Sequence, residues 1–489
     1  GENSMGNYLN PGNSGFEEIR KSPYVDKSGL ISLINRTIGT KQKLTCVSRP
    51  RRFGKSFAAQ MLCAYYDKTC DSSSLFGDLM IADDVQYSKH LNHYDVIYLD
   101  MTGIIGETSL SDMVPYIKRN IIRELSAAYP ELEAAEGFAS TLICAAKLAK
   151  SRFIIIIDEW DAPIREAGHA PYARRDYLDF LRILFKNSGA TSQIFAAAYM
   201  TGILPIKKDG SQSAISDFRE FSVLDPGEYA VFTGFTEDEV RTLCTQYHMD
   251  FDNAKSWYDG YSFDRLHSVY NPYSVMSAML SGKFKSYWKK TSAAEALLAY
   301  IDMDEDGLQE DIVKLISGEE IEIDTEGFEN DLETFKCKDD VLTLLVHLGY
   351  LAYTEDEKGD GTGTARIPNR EVLMEFNKIL RKGKHAQLLR LIRISDQLFE
   401  RTLQGDAGFV AKEIARIHDS NYAPQFYNNE QALRAVVRYA YITCVDQYSR
   451  IEELPSGHGF ADIVYLPKRK STLPAMIIEL KWNKTAKGA

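Results

Sequence analysis

The sequence predicts an α/β fold. A parallel sheet flanked by helices comes first, a helical middle region follows, and a smaller α/β segment closes the chain. Three observations carry this. Short apolar runs alternate with amphipathic helical stretches as far as about residue 234. Those runs are apolar at consecutive positions, as strands covered on both faces require. The pattern then changes, and a chain of 489 residues exceeds one core, because domains usually span about 100–200 residues.

The elements follow in order. "KLTCVS" (Lys43 to Ser48) is the first strand, and "KSFAAQMLCAYY" (Lys55 to Tyr66) a helix with Phe57, Met61 and Tyr65 on one face. "YDVIYLDM" from Tyr94 is the second strand, and "SDMVPYIKRNIIRELSAAY" a helix bent or started at Pro115. "RFIIIIDEWD" (Arg152 to Asp161) is the most apolar strand. "YARRDYLDFLRILFKNSG" reads as a helix closed by Gly189, and "SQIFAAAYMTG" as a fourth strand. "TEDEVRTLCTQY" then offers Thr236 as a helix N-cap, with acidic residues in the first turn. "WYDGYSFDRLHSVYNPYS" reads as an ordered loop packed by aromatics. The end of the chain carries two strand-like runs, "FADIVYLP" and "PAMIIELKW". The expected domains are residues 15–234, 235–380 and 381–489.

Composition narrows the class. Hydrophobic residues make up 44% and charged residues 26%, as in soluble globular proteins. No apolar run approaches the roughly 18 residues of a membrane helix, and the N-terminus lacks the basic and apolar regions of a signal peptide. The "GENS" before Met5 reads as an expression remnant. Seven scattered cysteines without a C-x-x-C favour reduced thiols in a cytoplasmic protein. A net charge of −12 argues against adhesion of the whole surface to nucleic acid.

The chemistry concentrates in "SRPRRFGKS" (Ser48 to Ser56). A phosphate-binding loop reads G-x-x-x-x-G-K-[ST]; here Arg49 stands at the first glycine, but Gly54, Lys55 and Ser56 are in place. A strand precedes them and a helix follows, so backbone N–H groups and a helix N-terminus would face an anion. "IIIIDEWD" supplies the acidic partner. Asp158 and Glu159 end a strand, where ligands of open α/β sheets bind. Asp158 would hold Mg²⁺ through water and Glu159 would orient or deprotonate an attacking water. Thr201 in "YMTG" is placed to sense a γ-phosphate or to cap its turn. The candidate nucleotide-binding set is Arg51, Arg52, Phe53, Gly54, Lys55, Ser56, Phe57, Asp158 and Thr201, with Arg51 and Arg52 adding charge beside the triphosphate or docking onto a carboxylate. Arg219 could reach a γ-phosphate like an arginine finger, although a surface salt bridge is the favoured reading.

With these motifs stand "SPYVDKSGLI", "MTGILPI", "GFTEDEV", "WYDGYSF", "VYNPYSV" and "IPNREV", in that order along the chain. The whole series resembles the bacterial AAA-ATPase-like family whose members carry a C-terminal PD-(D/E)XK nuclease-like domain. The resemblance implies that R-P-R-R-F-G-K-[ST] is the family's normal loop, that Lys55 and Ser56 serve phosphate and Mg²⁺, and that Asp158 and Glu159 are the acidic pair. It also suggests that Tyr24 to Ser28 either help to frame adenine or brace the N-terminus structurally.

The C-terminal runs fit the same picture. Asp462 precedes Glu479 by seventeen residues, and Glu479 and Lys481 lie two apart on one side of a strand. D-x₁₆-E-x-K matches a metal-dependent nuclease site, with Glu430 on an upstream helix as a further acidic ligand. Two carboxylates would hold a second Mg²⁺ or Mn²⁺, and the lysine would activate water. The apolar neighbours of Glu479 predict a buried strand end. The chain ends at Ala489, eight residues after Lys481, so the nuclease-like domain reads as incomplete. The expected partners are ATP, with DNA or RNA and a partner protein as candidates. An oligomer is compatible with the resemblance, and no membrane is expected. Basic runs at residues 380–393 and 467–471 read mainly as solvated surface, and His90 and His93 as a solvated pair.

Overall fold

The computed structural model describes residues 6–166, 170–186, 188–206, 215, 217–263, 266–288, 307–328, 337–382, 386–421, 430–456, 459–468 and 471–480. The expected alternation produces one five-stranded sheet. Its strands are β1 Leu44–Ser48, β2 Val96–Asp100, β3 Phe153–Asp158, β4 Phe195–Gly202 and β5 Arg219–Phe221. They lie in the order β2-β3-β4-β1-β5, and every pairing is parallel. β5, at the edge, is the strand that the sequence does not announce. It has three half-exposed residues and no apolar run.

β3 shows why the sheet forms. Ile155 and Ile157 enter one hydrophobic core, and Ile154 and Ile156 enter the other, on the opposite face. Each fully buried isoleucine stabilises by about 1.5–3 kcal/mol, so a strand apolar at every position is held only where both faces are covered. The first core is closed by the helices Met113–Ala128, Phe138–Ala149 and Pro171–Phe185. The second is closed by the helices Ser14–Lys21 and Gly29–Thr37 and by α1, Lys55–Tyr66. Pro115 sits in the first turn of its helix, as expected. Gly189 does not end the helix before it. That helix stops at Phe185, and Gly189 lies inside the next one, Ser188–Ile194, whose Thr191 hydroxyl donates to the Leu184 carbonyl at 2.6 Å. The five-residue helix α2, Ala162–Glu166, follows β3 directly.

By internal packing the chain divides into two units, each assembled from separate stretches. The first takes residues 1–249, 261–282 and 324–362, and the second residues 250–260, 283–323 and 363–489. Besides the large sheet, the first unit holds a small antiparallel sheet of β6 Phe235–Thr236, β7 Tyr261–Phe263 and β8 Leu266–Tyr270, in the order β6-β8-β7. Thr236 caps the helix Glu237–Tyr247 in a reciprocal capping box with Glu239. Asn271 caps α3, Pro272–Ser281, accepting from the amides of Tyr273 and Ser274. The "WYDGYSF…NPYS" run is therefore a hairpin leading into a capped helix.

The second unit contains α4, Glu430–Ala440, and an antiparallel meander of β9 Tyr448–Ser456, β10 Gly459–Pro467 and β11 Met476–Ile478. The two expected C-terminal strands are adjacent, with Ile463 opposite Ile478. No helix among the described residues is long and apolar enough to cross a membrane.

Candidate nucleotide site

The site lies in the first unit, at the carboxyl edge of the large sheet. β1 ends at Ser48, the loop runs from Arg49 to Gly54, and α1 begins at Lys55. Gly54 has φ +84°, and a Cβ there would meet nothing within 4 Å. The glycine thus serves a left-handed turn beside open space, where a ligand can approach the backbone. Arg52 is also left-handed, at φ +68°, which costs a non-glycine residue about 1–2 kcal/mol. Its guanidinium stacks over the Tyr273 ring on α3, 4.0 Å from the centroid.

Arg49 explains how the loop closes without its first glycine. Its side chain turns away from the cradle and is fully buried. Nη1 donates to the carbonyls of Ser48 and Phe221, both at 2.7 Å, and Nε donates to Thr233 Oγ1 at 2.6 Å. The guanidinium also lies 5.1 Å over the Phe263 ring. Burial pushes its pKa down to about 10, so it stays charged at neutral pH. Phe53 packs edge-on against Tyr261 and tilted against Phe263. Residues that looked foreign to a phosphate loop tie it to β5 and to the β7–β8 hairpin.

Lys55 is buried, and its Nζ donates to the loop carbonyls of Arg49 (3.1 Å) and Pro50 (2.8 Å). Burial lowers its pKa against the opposing pull of Glu159, Asp161 and Asp158. Asp158 ends β3 opposite Thr201 of β4. Asp158 Oδ1 and Thr201 Oγ1 are both buried with no hydrogen-bond partner among the described residues. Such orphans are costly and mark a missing ligand, ion or water. Burial first, and the Glu159 charge second, push the Asp158 carboxyl up to about 6, while a hydrogen bond with Ser56 opposes the rise. Glu159 has φ +53°. One oxygen, Oε2, pairs with Arg165 Nη2 at 2.6 Å, and Oε1 lies 4.0 Å from Lys55 Nζ.

Lys55, Ser56 and Glu159 line a cavity of about 550 Å³, whose lining does not include Asp158 or Thr201; its volume falls inside the roughly 300–1,000 Å³ range of small-ligand sites. Arg51, Arg52, Gly54, Lys55, Ser56 and Glu159 form its polar end, and Tyr24, Phe232, Phe235, Met276 and Leu280 its apolar end. Phe53 and Phe57 also line it. A nucleotide and its Mg²⁺ fit this donor set: open space at Gly54, a buried ammonium, a hydroxyl, and a buried carboxylate oxygen without a partner. Tyr24, Val25 and Lys27 line the same cavity. α3 and Phe232 are contributors that sequence reasoning did not name. Arg219 lies on β5 beside Thr45, stacked on Phe221 at 5.0 Å. His90 Nδ1 is 2.6 Å from the Tyr94 hydroxyl, which accounts for it without a metal.

The second constellation lies in the second unit and is arranged differently. Asp462 sits on β10, where Oδ2 accepts from the Leu480 amide at 2.7 Å and Oδ1 from Arg434 Nη2 at 3.2 Å. Arg434, on α4, also reaches Glu453 at 3.3 Å. Glu479 follows β11 and is exposed, contrary to the expected buried strand end, because β11 is short and only Leu480 turns inward. Glu430 opens α4, but its side chain, like all of Lys481, lies outside the described residues. Among the described residues no group of three or more His, Cys, Asp or Glu side chains could hold a metal ion.

Residues 11–211 match the family model described as a predicted AAA-ATPase. The N-terminal part of the chain has an AAA-ATPase-like fold. The match spans the loop, β3 and β4 of the AAA-ATPase-like sheet and stops short of β5. A curated protein described as "Uncharacterized protein in vnfD 5'region", from Azotobacter chroococcum mcd 1, is 24% identical over 479 residues, covering 92% of this chain and 85% of that one. Among solved structures, the ORC2 protein of Aeropyrum pernix in ADPNP–ADP complexes aligns at 9% identity and TM-score 0.27, over 73% of this chain and 93% of that one. Drosophila ORC bound to DNA aligns at 11% identity and TM-score 0.23, over 75% and 86%. Similarities this low carry no argument here.

Proposed function

We propose that the AAA-ATPase-like domain binds and hydrolyses ATP with Mg²⁺. The observation that carries this reading is the meeting of Lys55, the Gly54 cradle and the unpartnered Asp158 and Thr201 oxygens at one sheet edge. Lys55 neutralises phosphate charge, with Arg51 as an additional cation at the polar end. Ser56 and Asp158 would hold Mg²⁺, which when bound offsets the charge of the phosphates. Glu159 orients and deprotonates the attacking water, and Thr201 senses the terminal phosphate. The apolar end, with Tyr24, Phe232 and Phe235, takes the base.

The C-terminal module supports two readings. In one, Asp462, Glu479, Lys481 and Glu430 form a metal-dependent nuclease site acting on DNA or RNA under control of the ATPase. In the other, the module is degenerate and the protein is an ATP-binding switch that recognises a partner protein. A specific observation favours the second: Arg434 and the Leu480 amide already engage both oxygens of Asp462.

The test measures ATP binding and steady-state hydrolysis with Mg²⁺ for the wild type, Lys55→Ala and Glu159→Gln. Lys55→Ala is expected to weaken ATP binding at least about thirtyfold, as loss of a charge-assisted phosphate contact should. Glu159→Gln is expected to keep binding and to lower turnover about a hundred- to thousandfold. A wild type that binds no ATP would refute the site. Incubation with single- and double-stranded DNA and RNA in Mg²⁺ or Mn²⁺, beside Asp462→Ala, separates the two readings of the C-terminal module. Cleavage lost in Asp462→Ala supports the nuclease, and no cleavage supports the switch.

A further inference from the structure

Arg165, on α2, takes no part in the roles above, yet it contacts the residue on which hydrolysis turns. Its side chain is partly buried, with Nη2 2.6 Å from Glu159 Oε2 and Nε 3.2 Å from Asp161 Oδ2. Asp161 is fully buried, and its Oδ2 also accepts from the backbone amides of Ile203 and Leu204, at 3.1 and 2.8 Å. Gly202 permits this, because a Cβ there would stand 2.5 Å from Asp161 Oδ1 and 2.8 Å from the Trp160 ring. A continuous polar chain thus runs from the amides after β4, through Asp161 and Arg165, to Glu159.

The chain has a directional consequence. Glu159 stands in a left-handed backbone conformation, from which its side chain needs a fixed partner to keep one orientation. Arg165 engages Oε2 and leaves Oε1 on the side of Lys55. A carboxylate with one oxygen held by a guanidinium offers the other in a defined direction. The spacing accounts for two motifs together: Asp161 and Arg165 are i and i+4 in "DEWDAPIR", and the amides belong to "MTGILPI".

We propose that Arg165 is the positioning residue of Glu159, pinning Oε2 through Asp161 and the amides of Ile203 and Leu204 so that Oε1 faces the nucleotide. The proposal rests on the reading of Glu159 as the water-activating base. Its test measures kcat and KM for ATP hydrolysis, together with equilibrium binding of ATP and ADP, in Arg165→Gln, Arg165→Lys and Glu159→Gln. Arg165→Gln is expected to lower kcat at least tenfold while KM and both dissociation constants stay within about threefold. Arg165→Lys, which keeps the charge and one ion pair, recovers part of kcat and guards against a simple folding defect.

Three results overturn the proposal alone. One is a rise in kcat in Arg165→Gln, which makes the arginine a clamp holding the base out of use. Another is selective loss of ATP over ADP binding, which makes it a phosphate ligand. The last is an unchanged kcat beside an impaired Glu159→Gln. A Glu159→Gln variant that turns over like the wild type instead overturns the assignment of the base itself.

Discussion

Both units present an aspartate on a strand, Asp158 at the end of β3 and Asp462 within β10, and their chemical states are opposite. In the first unit Asp158 is buried, its Oδ1 has no partner among the described residues, and its carboxyl is pushed up to about 6. In the second, Asp462 has a guanidinium on one oxygen and a backbone amide on the other. The first arrangement stores an unmet demand for positive charge, which a metal or ligand relieves. The second has met that demand from within the chain. An acidic residue on a strand therefore shows little by its type; what its oxygens already touch separates a ligand site from a structural ion pair.

The comparison fails if removing the two carboxylates has the same sign of effect. Asp462→Ala leaves Arg434 short of a carboxylate and the Leu480 amide unpaired, so it is expected to destabilise the second unit by about 2–3 kcal/mol. Urea unfolding monitored by circular dichroism measures this. A change below about 0.5 kcal/mol would mean that the pair contributes nothing and that Asp462 is free for another role.

Asp158→Asn is expected to act in the opposite direction when nucleotide and Mg²⁺ are absent. The folded protein holds the Asp158 proton up to about pH 6, whereas the unfolded chain releases it near 3.8. The stability from this group is therefore complete below pH 3.8 and is lost as pH rises through 6. At pH 8 the buried charge is a burden, and the asparagine removes it, with a gain of about 1–3 kcal/mol. The gain should shrink by pH 5. An equal gain at both pH values would trace it to packing instead. The same substitution should abolish any Mg²⁺ stabilisation of bound ATP.

The legible parts of this molecule were those governed by local pattern. Four apolar strands, the capping Thr236 and the Gly54-Lys55-Ser56 turn each follow from residues close in sequence. The placement of Asp158 beside Thr201 also followed, because a parallel sheet brings strand ends to one edge. What stayed hidden depends on contacts distant in sequence. Arg49 reads as a defect until Thr233 and Phe221, some 170–185 residues on, are seen to accept from it. Nothing local says that Arg165 will meet an Asp161 buried by the amides after β4. Nor does the helix pattern name the partners of Arg434, which lie 19 and 28 residues away.

The smallest expected effect concerns the loop itself, where Arg52 combines a strained backbone with a stacked side chain. The left-handed φ of +68° is a penalty that only glycine escapes, and stacking on Tyr273 returns about 0.5–1 kcal/mol. The two terms come apart in a pair of variants. Arg52→Gln keeps the strain and loses the stack, so stability should fall by about 0.5–1 kcal/mol. Arg52→Gly loses the stack and the strain together, so stability should stay within about 0.5 kcal/mol of the wild type. If both variants fall equally in thermal unfolding, the left-handed turn carries no penalty here and the stack alone holds Arg52. If Arg52→Gly is the more stable of the two, the loop keeps a strained arginine at this turn where glycine would fold as well. That outcome would direct attention to what its charge does at the polar end of the cavity.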